Sequence, residues 1–387
     1  MGTLVPKNMA GPLGRALDKL AARHNGDIDG YVANELGYSR KELEEYFAGE
    51  QVDAIALALD NIEAGNGFII GDQTGIGKGR VNAAIIRYAN RKGLTPVFVT
   101  MKPDLYADMI RDLNDIGVKD FNPLPTNSGL SGDKSIPLPN GDTIKTKSGT
   151  AHESTMRKAM NGGMKGYDAV FTTYDQLNSV KGKDTFRREF MREIAHNAVF
   201  ILDESHNAGG GSSGDRKKRG AAASRAEFVR EMLAASPHGT FYSSATYAKR
   251  PDVMSLYFKT DMRHAVDDIG SLAAAISAGG IPLQQVVAAQ LTESGQYIRR
   301  ERSFEGASVE VTHAKADLQN AEQSATIMRS ILAFDTVKQR VLKDMKDEAR
   351  GDGEDFADSN AVGEKGANSI NFTSVMHNVI NTFLLSL

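Results

Sequence analysis

The chain of 387 residues contains no cysteine. This absence excludes disulfides, cysteine-ligated zinc, iron–sulfur clusters and thiol nucleophiles, and it fits a reducing compartment, for which the cytoplasm is the default. An excess of charge of one sign is also lacking, because 46 Lys and Arg residues face 49 Asp and Glu residues and the net charge is −3. Binding to nucleic acid would therefore require a local basic patch.

Long hydrophobic runs are missing as well. No apolar stretch approaches the ~20 residues that a membrane-spanning helix needs, and the first residues, MGTLVPKNMAGPL, have neither a signal-type apolar core nor a myristoylation pattern. We therefore expect no membrane span and no lipid anchor. The 41% hydrophobic and 25% charged residues are typical of a folded protein with room for two domains.

Five short apolar segments predict buried strands: GFIIG (67–71), PVFVT (96–100), AVFTTY (169–174), AVFILDE (198–204) and GTFYSSAT (239–246). Amphipathic helices are predicted between most of them, at 81–91, 104–116, 184–196 and 221–235. The strand segments are nearly continuous in apolar residues, which is typical of a parallel sheet covered by helices on both faces. The predicted fold class is therefore α/β.

Composition shifts predict five regions: a helical cap (1–50), the α/β core (51–262), a mostly helical extension with one strand segment (263–348), a flexible acidic linker (349–370) and a terminal apolar helix (371–387). The terminal helix has no visible partner for its apolar face, so we expect a chain truncated at the start of a second lobe. Within the cap, Ser39 and Glu42 predict a capping box. Within the core, Asn140-Gly141 predicts a hairpin turn, and NAGGGSSGDRKKRG (207–220) predicts a mobile loop with a basic cluster.

The segment GDQTGIGKGR (71–80) lies between a predicted strand and a predicted helix. Its glycines let successive N–H groups face one phosphate oxygen, the helix N-terminus adds partial positive charge, and Lys78 adds a full charge. The pattern predicts a phosphate-binding loop; the alternative is a plain glycine turn. It departs from the usual motif at Asp72, where Gly or Ala is expected, and at Gly79, which replaces the Ser or Thr that binds Mg²⁺.

An acidic pair follows another predicted strand, in VFILDESH (199–206). Asp203 and Glu204 fall at the exposed carboxyl end of that strand, where α/β sheets bind ligands. There Asp203 can hold Mg²⁺ through water, and Glu204 can orient and deprotonate an attacking water. Such a pair alone would be an ordinary solvated strand end; after a phosphate-binding loop it indicates NTP hydrolysis, with His206 completing the DE-x-H order.

The tripeptide Ser244-Ala245-Thr246 follows a further predicted strand. Small hydroxyl side chains at a strand end can pass a change at the γ-phosphate to neighbouring groups by hydrogen bonding, and Ser-Ala-Thr is expected in the third motif of superfamily 2 helicases. With His206, these three are the predicted coupling residues. On its own, the tripeptide would be a polar strand terminus.

Six segments resemble, in order, those of the strawberry notch family of superfamily 2 helicase-like NTPases: GFIIGDQTGIGKGR, PVFVTMKPDLYADMIRDLNDIG, AVFTTYDQL, VFILDESHNAG, SSATYAKRPDVMSLY and GQYIRRERSFEG. The similarity is closest to the phage and mobile-element branch, which includes phage antirestriction proteins, and covers about 51–310. It implies a RecA-like P-loop NTPase fold, ATP and Mg²⁺ as cofactors, and the cytoplasm of a bacterial or phage-infected cell. In that family the P-loop lysine is also followed by Gly-Arg.

The resemblance also implies roles for individual residues. Gln51 would read the adenine edge, and the triphosphate would be held by Thr74, Gly75, Ile76, Gly77, Lys78, Gly79 and Arg80. Contacts to the DNA backbone would come from Thr100, Lys102, Thr172, Thr173 and Tyr174, although Thr at a strand end also reflects plain β-propensity. The basic cluster Arg216, Lys217, Lys218 and Arg219 predicts either a finger on DNA or a solvated face. A later block with no assigned role is matched by Tyr297, Arg300, Ser303 and Phe304.

A superfamily 2 motor needs a second lobe that supplies an arginine to the nucleotide. We therefore expect the ATP-binding first lobe of a DNA-dependent ATPase or translocase, weakly active alone, with a possible phage antirestriction or DNA-processing role. Its partners would be DNA and the missing lobe, packed on residues 371–387. Two alternatives are an ATP-binding regulatory or scaffold module without translocation, and a P-loop phosphotransferase, which the Ser-Ala-Thr and DE-x-H elements disfavour.

Overall fold

The computed structural model describes residues 3–138, 140–180, 182–208, 216–245, 251–264 and 269–303, with scattered residues between 319 and 333. The chain divides into two compact units, Met1–Glu305 and Gly306–Leu387. Of the second unit only the scattered residues are described, and they are helical. The predicted linker and terminal apolar helix lie outside the described residues.

The strands of the described residues are β1 (Thr3–Leu4), β2 (Gly67–Ile70), β3 (Thr95–Thr100), β4 (Pro123–Pro125), β5 (Ile136–Pro137), β6 (Thr143–Ile144), β7 (Ala169–Thr173), β8 (Ala198–Asp203), β9 (Thr240–Ser243), β10 (Tyr297–Ile298) and β11 (Glu301–Arg302). The helices are α1 (Lys7–Arg23), α2 (Ile28–Leu36), α3 (Arg40–Tyr46), α4 (Gly49–Glu63), α5 (Lys78–Arg91), α6 (Leu105–Asp115), α7 (Gly149–Asn161), α8 (Phe186–Ala195), α9 (Arg216–Ala235) and α10 (Ile269–Glu293). Helix α10 is interrupted at Gly280, whose φ is 57°.

Seven strands form one sheet in the order β10-β2-β9-β8-β3-β7-β4, and every pairing in it is parallel. The five strands predicted from apolar segments are β2, β3, β7, β8 and β9, so those predictions are confirmed. Because the strands are parallel, all their carboxyl ends lie at one edge of the sheet. Ligand-binding residues that follow different strands are therefore brought together.

The two faces of the sheet are covered by separate apolar clusters. Phe68 and Ile70 of β2 belong to a cluster that includes side chains of α2, α4, α5 and α6. Ile69, between them, belongs to a second cluster with side chains of α8, α9 and α10. This alternation explains the continuous apolar segments, since both faces of each strand are buried. The α/β fold class with helices on both faces is confirmed.

Smaller elements surround the sheet. The Ser39–Glu42 capping box is present at the start of α3, and Gly141 lies in the turn between the antiparallel strands β5 and β6. Strands β1 and β11 form a further antiparallel pair. Along the part of the chain described here, no helix has both the length and the apolar character needed to cross a membrane.

One loop prediction needs correction. Residues 216–219 were predicted in a mobile loop, but the structure places them in the first turn of α9. Arg and Lys at 216–219 and Ala at 221–223 are strong helix formers, and the helix extends to Arg216 in spite of Gly220 between them. The Gly/Ser stretch at 209–215 lies outside the described residues, as do the side chains of the basic cluster.

Candidate functional site

The predicted phosphate-binding loop connects β2 to α5. Gly75 and Gly77 have φ angles of 87° and 96°, in the left-handed region that favours glycine. Gly77 is also the N-cap of α5, so the loop leads straight into a helix N-terminus that begins with Lys78. A glycine loop that leads into a helix N-terminus is an arrangement that can bind an anion.

Lys78 points back along the loop. Its Nζ donates a hydrogen bond of 2.6 Å to the carbonyl oxygen of Asp72. Burial lowers the pKa of Lys78, while the nearby charges of Glu204, Asp72 and Asp203 act to raise it. The ammonium group of Lys78 therefore lies against the loop backbone, close enough to interact with a phosphate bound there.

Asp203 is the last residue of β8, and Glu204 follows it with φ 46° and ψ 50°. Left-handed backbone is uncommon for a residue with a side chain, and such strain is concentrated at functional sites. Asp203 Oδ2 accepts a hydrogen bond of 3.0 Å from Thr100 Oγ1. Burial raises the pKa of Asp203 to about 6, against the opposing effects of Thr100 and Lys78. The acidic pair thus lies beside the loop lysine.

One cavity joins these elements. Its volume is about 500 Å³, which is within the usual range for sites that bind small molecules. Its walls come from α4, the phosphate-binding loop, α5, α6 and the end of β8. The lining includes every predicted nucleotide-binding residue, namely Gln51, Thr74, Gly75, Ile76, Gly77, Lys78, Gly79 and Arg80, and also Asp203 and Glu204.

The predicted adenine reader, Gln51, is engaged with the loop itself. Its Nε2 donates to the Gly77 carbonyl at 3.2 Å, and its Oε1 accepts from the Ala48 backbone N–H at 3.0 Å. Arg80 is likewise occupied, because its Nη1 donates to the Tyr46 carbonyl at 3.1 Å. Both side chains line the cavity while bracing its wall.

Two of the predicted coupling residues, His206 and Ser244, meet across two strand ends. His206 Nδ1 lies 2.9 Å from Ser244 Oγ and 3.3 Å from Glu204 Oε2. The imidazole therefore links the acidic motif to the residue that follows β9. Ala245 is next in the chain, and Thr246 lies outside the described residues.

The residues that the family resemblance assigns to DNA contacts are mostly buried. Thr100, Thr172, Thr173 and Tyr174 are buried, at most 3% exposed, and Tyr174 donates its hydroxyl to the Asp203 carbonyl at 2.7 Å. Enclosed side chains cannot contact a DNA backbone in this conformation, so their placement does not support that role. Lys102 is exposed and remains available for it.

A buried ion pair beneath the loop was missed by the sequence analysis. Arg300 Nε lies 3.1 Å from both carboxylate oxygens of Asp72, Nη2 contacts the same carboxylate, and Nη1 donates to the Glu50 carbonyl. The side chains of Arg300 and Asp72 are only 3% and 1% exposed. In the sequence, the trace of this pair is Asp72 at a position where Gly or Ala is usual. A carboxylate that becomes buried there needs a cation beside it.

The segment after β10 holds the loop at further points. The Arg302 backbone N–H donates to Gln73 Oε1 at 3.0 Å, and its guanidinium contacts the Gly75 carbonyl. The family resemblance gave no role to the block around residues 297–304. These contacts show that it braces the phosphate-binding loop. Within it, Tyr297 and Ser303 are buried, and Phe304 lies outside the described residues.

Helix α6 also contributes to the cavity, which the sequence analysis did not foresee. Asp108, Arg111 and Asp112 are among the lining residues. Arg111 Nη1 lies 2.9 Å from Asp108 Oδ1, and its Nη2 lies 3.1 Å from Asp112 Oδ1. In the sequence, only Gly79 hinted at this contribution. Glycine has no side chain, and the space at that position is filled by Asp112 of α6.

The donor set fits Mg²⁺ held largely by a nucleotide. Among the described residues, no three or more His, Asp or Glu side chains group into a metal site of their own. Mg²⁺ usually keeps several waters and takes one or two carboxylates plus substrate phosphates. Asp203 beside a phosphate-binding loop meets that description.

Known proteins similar to this chain include the strawberry notch proteins of animals. Protein strawberry notch of Drosophila melanogaster is 28% identical over 260 residues, which is 63% of this chain and 14% of that protein. Protein strawberry notch homolog 1 of Gallus gallus is 28% identical over 267 residues, 63% of this chain and 19% of that protein. The Caenorhabditis elegans homolog is 24% identical over 291 residues, 73% of this chain and 14% of that protein. This chain thus spans 14–19% of the length of these relatives.

Among solved structures, the SWI2/SNF2 ATPase core of Sulfolobus solfataricus in complex with dsDNA is 14% identical, with a TM-score of 0.41. The match covers 86% of this chain and 64% of that chain.

A family model described as P-loop containing NTP hydrolase pore-1 matches residues 26–324. That span contains the phosphate-binding loop, the acidic pair and the arginine that pairs with Asp72. With the parallel sheet and its helices, it identifies the fold as that of a P-loop NTPase, which implies nucleotide binding. Because the match covers most of its length, the chain belongs to the P-loop containing NTP hydrolase pore-1 family.

Proposed function

We propose that this chain carries the ATP-binding first lobe of a superfamily 2-type, DNA-dependent ATPase or translocase, predicted at 51–262 and extended by β10, which pairs with β2. One observation carries the proposal: a single cavity is lined by the loop lysine Lys78 and the acidic pair Asp203 and Glu204. The His206–Ser244 contact then connects that cavity to the next strand end. Phosphate binding, metal holding, water activation and coupling are thereby available at one edge of the sheet.

Each group has a distinct part in hydrolysis. The ammonium of Lys78 neutralises charge on the β- and γ-phosphates, and the loop N–H groups orient them. Asp203 would hold Mg²⁺, whose chemistry is to neutralise charge developing on the transferred phosphoryl group. Glu204, on a strained backbone next to Asp203, orients the attacking water and accepts its proton. A cationic side chain from a second lobe would complete the charge stabilisation.

DNA binding in this proposal rests on one exposed lysine that follows a strand of the sheet and on the basic cluster of the sequence at 216–219. Lys102 follows β3 and is exposed, and the basic residues 216–219 open helix α9. Positive side chains of this kind bind the phosphate backbone without reading base sequence. The resemblance to the phage and mobile-element branch favours a role in antirestriction or DNA processing in the cytoplasm of a bacterial or phage-infected cell.

The test compares Lys78→Ala with Lys158→Ala, an exposed lysine on α7 outside the cavity lining. Losing one charge-assisted hydrogen bond costs about 1.5–3 kcal/mol. Titration with ATP and Mg²⁺ should therefore show binding weakened roughly tenfold or more for Lys78→Ala and unchanged for Lys158→Ala. Equal ATP affinity in wild type and Lys78→Ala would refute the site.

The DNA-dependent part is tested separately, on the protein together with its second lobe. Turnover of ATP should rise when DNA is added. ATP binding without any DNA response would instead favour a regulatory or scaffold module.

A further inference from the structure

The phosphate-binding loop lacks the hydroxyl that P-loop proteins use to hold Mg²⁺ beside the phosphates. Gly79 stands at that position and carries no side chain. Asp203, at the end of β8, would otherwise be left as the protein's contact to the cation. A second oxygen donor close to Gly79 would remove this deficit.

Helix α6 brings an aspartate to the space of the missing side chain. A Cβ added to Gly79 would lie 1.9 Å from Oδ2 and 2.9 Å from Cγ of Asp112. A larger residue at 79 would therefore displace the carboxylate, whereas glycine admits it. Carboxylate oxygens are hard ligands that Mg²⁺ accepts. The Gly79–Asp112 pair thus puts a carboxylate oxygen where a side chain at residue 79 would lie.

The carboxylate of Asp112 is fixed by its neighbour and faces the site. Its Oδ1 accepts hydrogen bonds from Arg111 Nε at 3.3 Å and Nη2 at 3.1 Å. Its side chain is 15% exposed and lines the same cavity as Lys78 and Asp203. Burial raises the pKa of Asp112, and the Arg111 guanidinium acts to keep it ionised.

We propose that Asp112 takes the place of the missing loop hydroxyl and positions, together with Asp203, the divalent cation that accompanies the nucleotide triphosphate. The proposal rests on the proposed function, because it concerns the same site. It assigns Asp112 as an oxygen ligand of the metal.

The substitution of a carboxylate for a hydroxyl has a measurable consequence. A carboxylate is negative, so without a cation it repels the triphosphate, and with a cation it attracts the complex. The affinity for ATP should therefore depend strongly on divalent metal. The informative quantity is the metal enhancement, meaning the Kd for ATP in EDTA divided by the Kd in Mg²⁺.

The experiment measures this enhancement for wild type, Asp112→Asn and Asp104→Asn. Asp104 precedes α6, is exposed and makes no capping hydrogen bond, so it controls for removing one acidic charge from the same region. Mutation even of residues that only support metal ligands typically costs about 10–100-fold in metal affinity, so loss of a ligand should cost at least as much. The enhancement should fall about tenfold or more in Asp112→Asn and stay at the wild-type value in Asp104→Asn. Mn²⁺ titration followed by electron paramagnetic resonance gives an independent readout of cation binding.

A second pair of variants keeps the test informative if Asp112→Asn folds poorly. Gly79→Ser alone should weaken ATP·Mg²⁺ binding because its Cβ meets the Asp112 carboxylate. Gly79→Ser combined with Asp112→Ala restores a hydroxyl and removes the clash, so the metal enhancement should return.

Two results overturn the inference in different ways. A wild-type enhancement in Asp112→Asn, with Lys78→Ala still defective in ATP binding, would refute the role of Asp112 and leave the proposed function intact. Failure of wild type to bind ATP in either condition would overturn the proposed function and this inference together.

Discussion

Removal of Arg300 should destabilise the protein far more than removal of the arginine beside it. The Arg300–Asp72 pair is almost completely buried, and the Arg300 guanidinium also reaches the Glu50 carbonyl. Arg300→Met keeps the apolar stem but leaves the Asp72 carboxylate without a cation. Breaking a buried pair in this way costs about 3–5 kcal/mol, because the remaining charge stays desolvated.

Arg299 provides the matched control. It lies one residue earlier, its side chain is 45% exposed, and its ion pair with Glu301 is 2.7 Å long. Exposed pairs contribute about 0–1 kcal/mol, so Arg299→Met should change stability little. Urea unfolding of both variants measures the free energies of unfolding directly.

The double variant Asp72→Ala/Arg300→Met separates charge burial from packing. Ala is a residue that phosphate-binding loops accept at the position of Asp72, and replacing both charges by apolar groups is often neutral. Most of the stability lost in Arg300→Met should therefore return. If Arg300→Met unfolds at the wild-type urea concentration, or if the double variant is no better than the single one, the reasoning from charge burial is wrong.

Two further predictions concern catalysis and pH. Glu204→Gln should keep ATP binding and lose turnover, because the amide cannot accept the proton of the attacking water; unchanged turnover in an ATPase assay would contradict this. Lys259 is buried and its Nζ donates to the Ser236 carbonyl at 2.8 Å; burial, reinforced by Arg263, lowers its pKa from 10.5 to about 8. Between these values the unfolded chain binds more protons, so the stability of wild type relative to Lys259→Met should rise as pH increases from 8 to 10.5. Parallel unfolding profiles over this range would exclude the shift.

The central strands could be predicted because burial on both faces leaves a local trace in the sequence. Segments such as Phe68 to Ile70 are apolar without interruption, and the phosphate-binding loop and the acidic pair lie directly at the ends of such segments. Strands β4 and β10 left no such trace. Strand β4 begins and ends with proline, and β10 has only two residues, so neither forms a recognisable apolar run.

The parts of the site that escaped prediction depend on contacts distant in sequence. Asp72 and Arg300 are 228 residues apart, and neither residue alone indicates the other. The placement of Asp112 against Gly79 depends on how α6 packs on α5, which no spacing encodes. Thr172 and Thr173 were assigned to DNA by resemblance, whereas burial in the sheet accounts for them through β-propensity.

Strand β10 determines where this lobe can be cut for separate study. Its two residues pair with Ile69 and Ile70, so β2 has a neighbour on both sides. A chain ended at residue 262 would lose that partner and expose the edge of β2, an apolar strand whose free N–H and C=O groups invite pairing with other molecules. It would also lose Arg300 under the loop. A fragment that ends after residue 303 keeps both β10 and Arg300. It is therefore the shortest fragment that we expect to stay monodisperse.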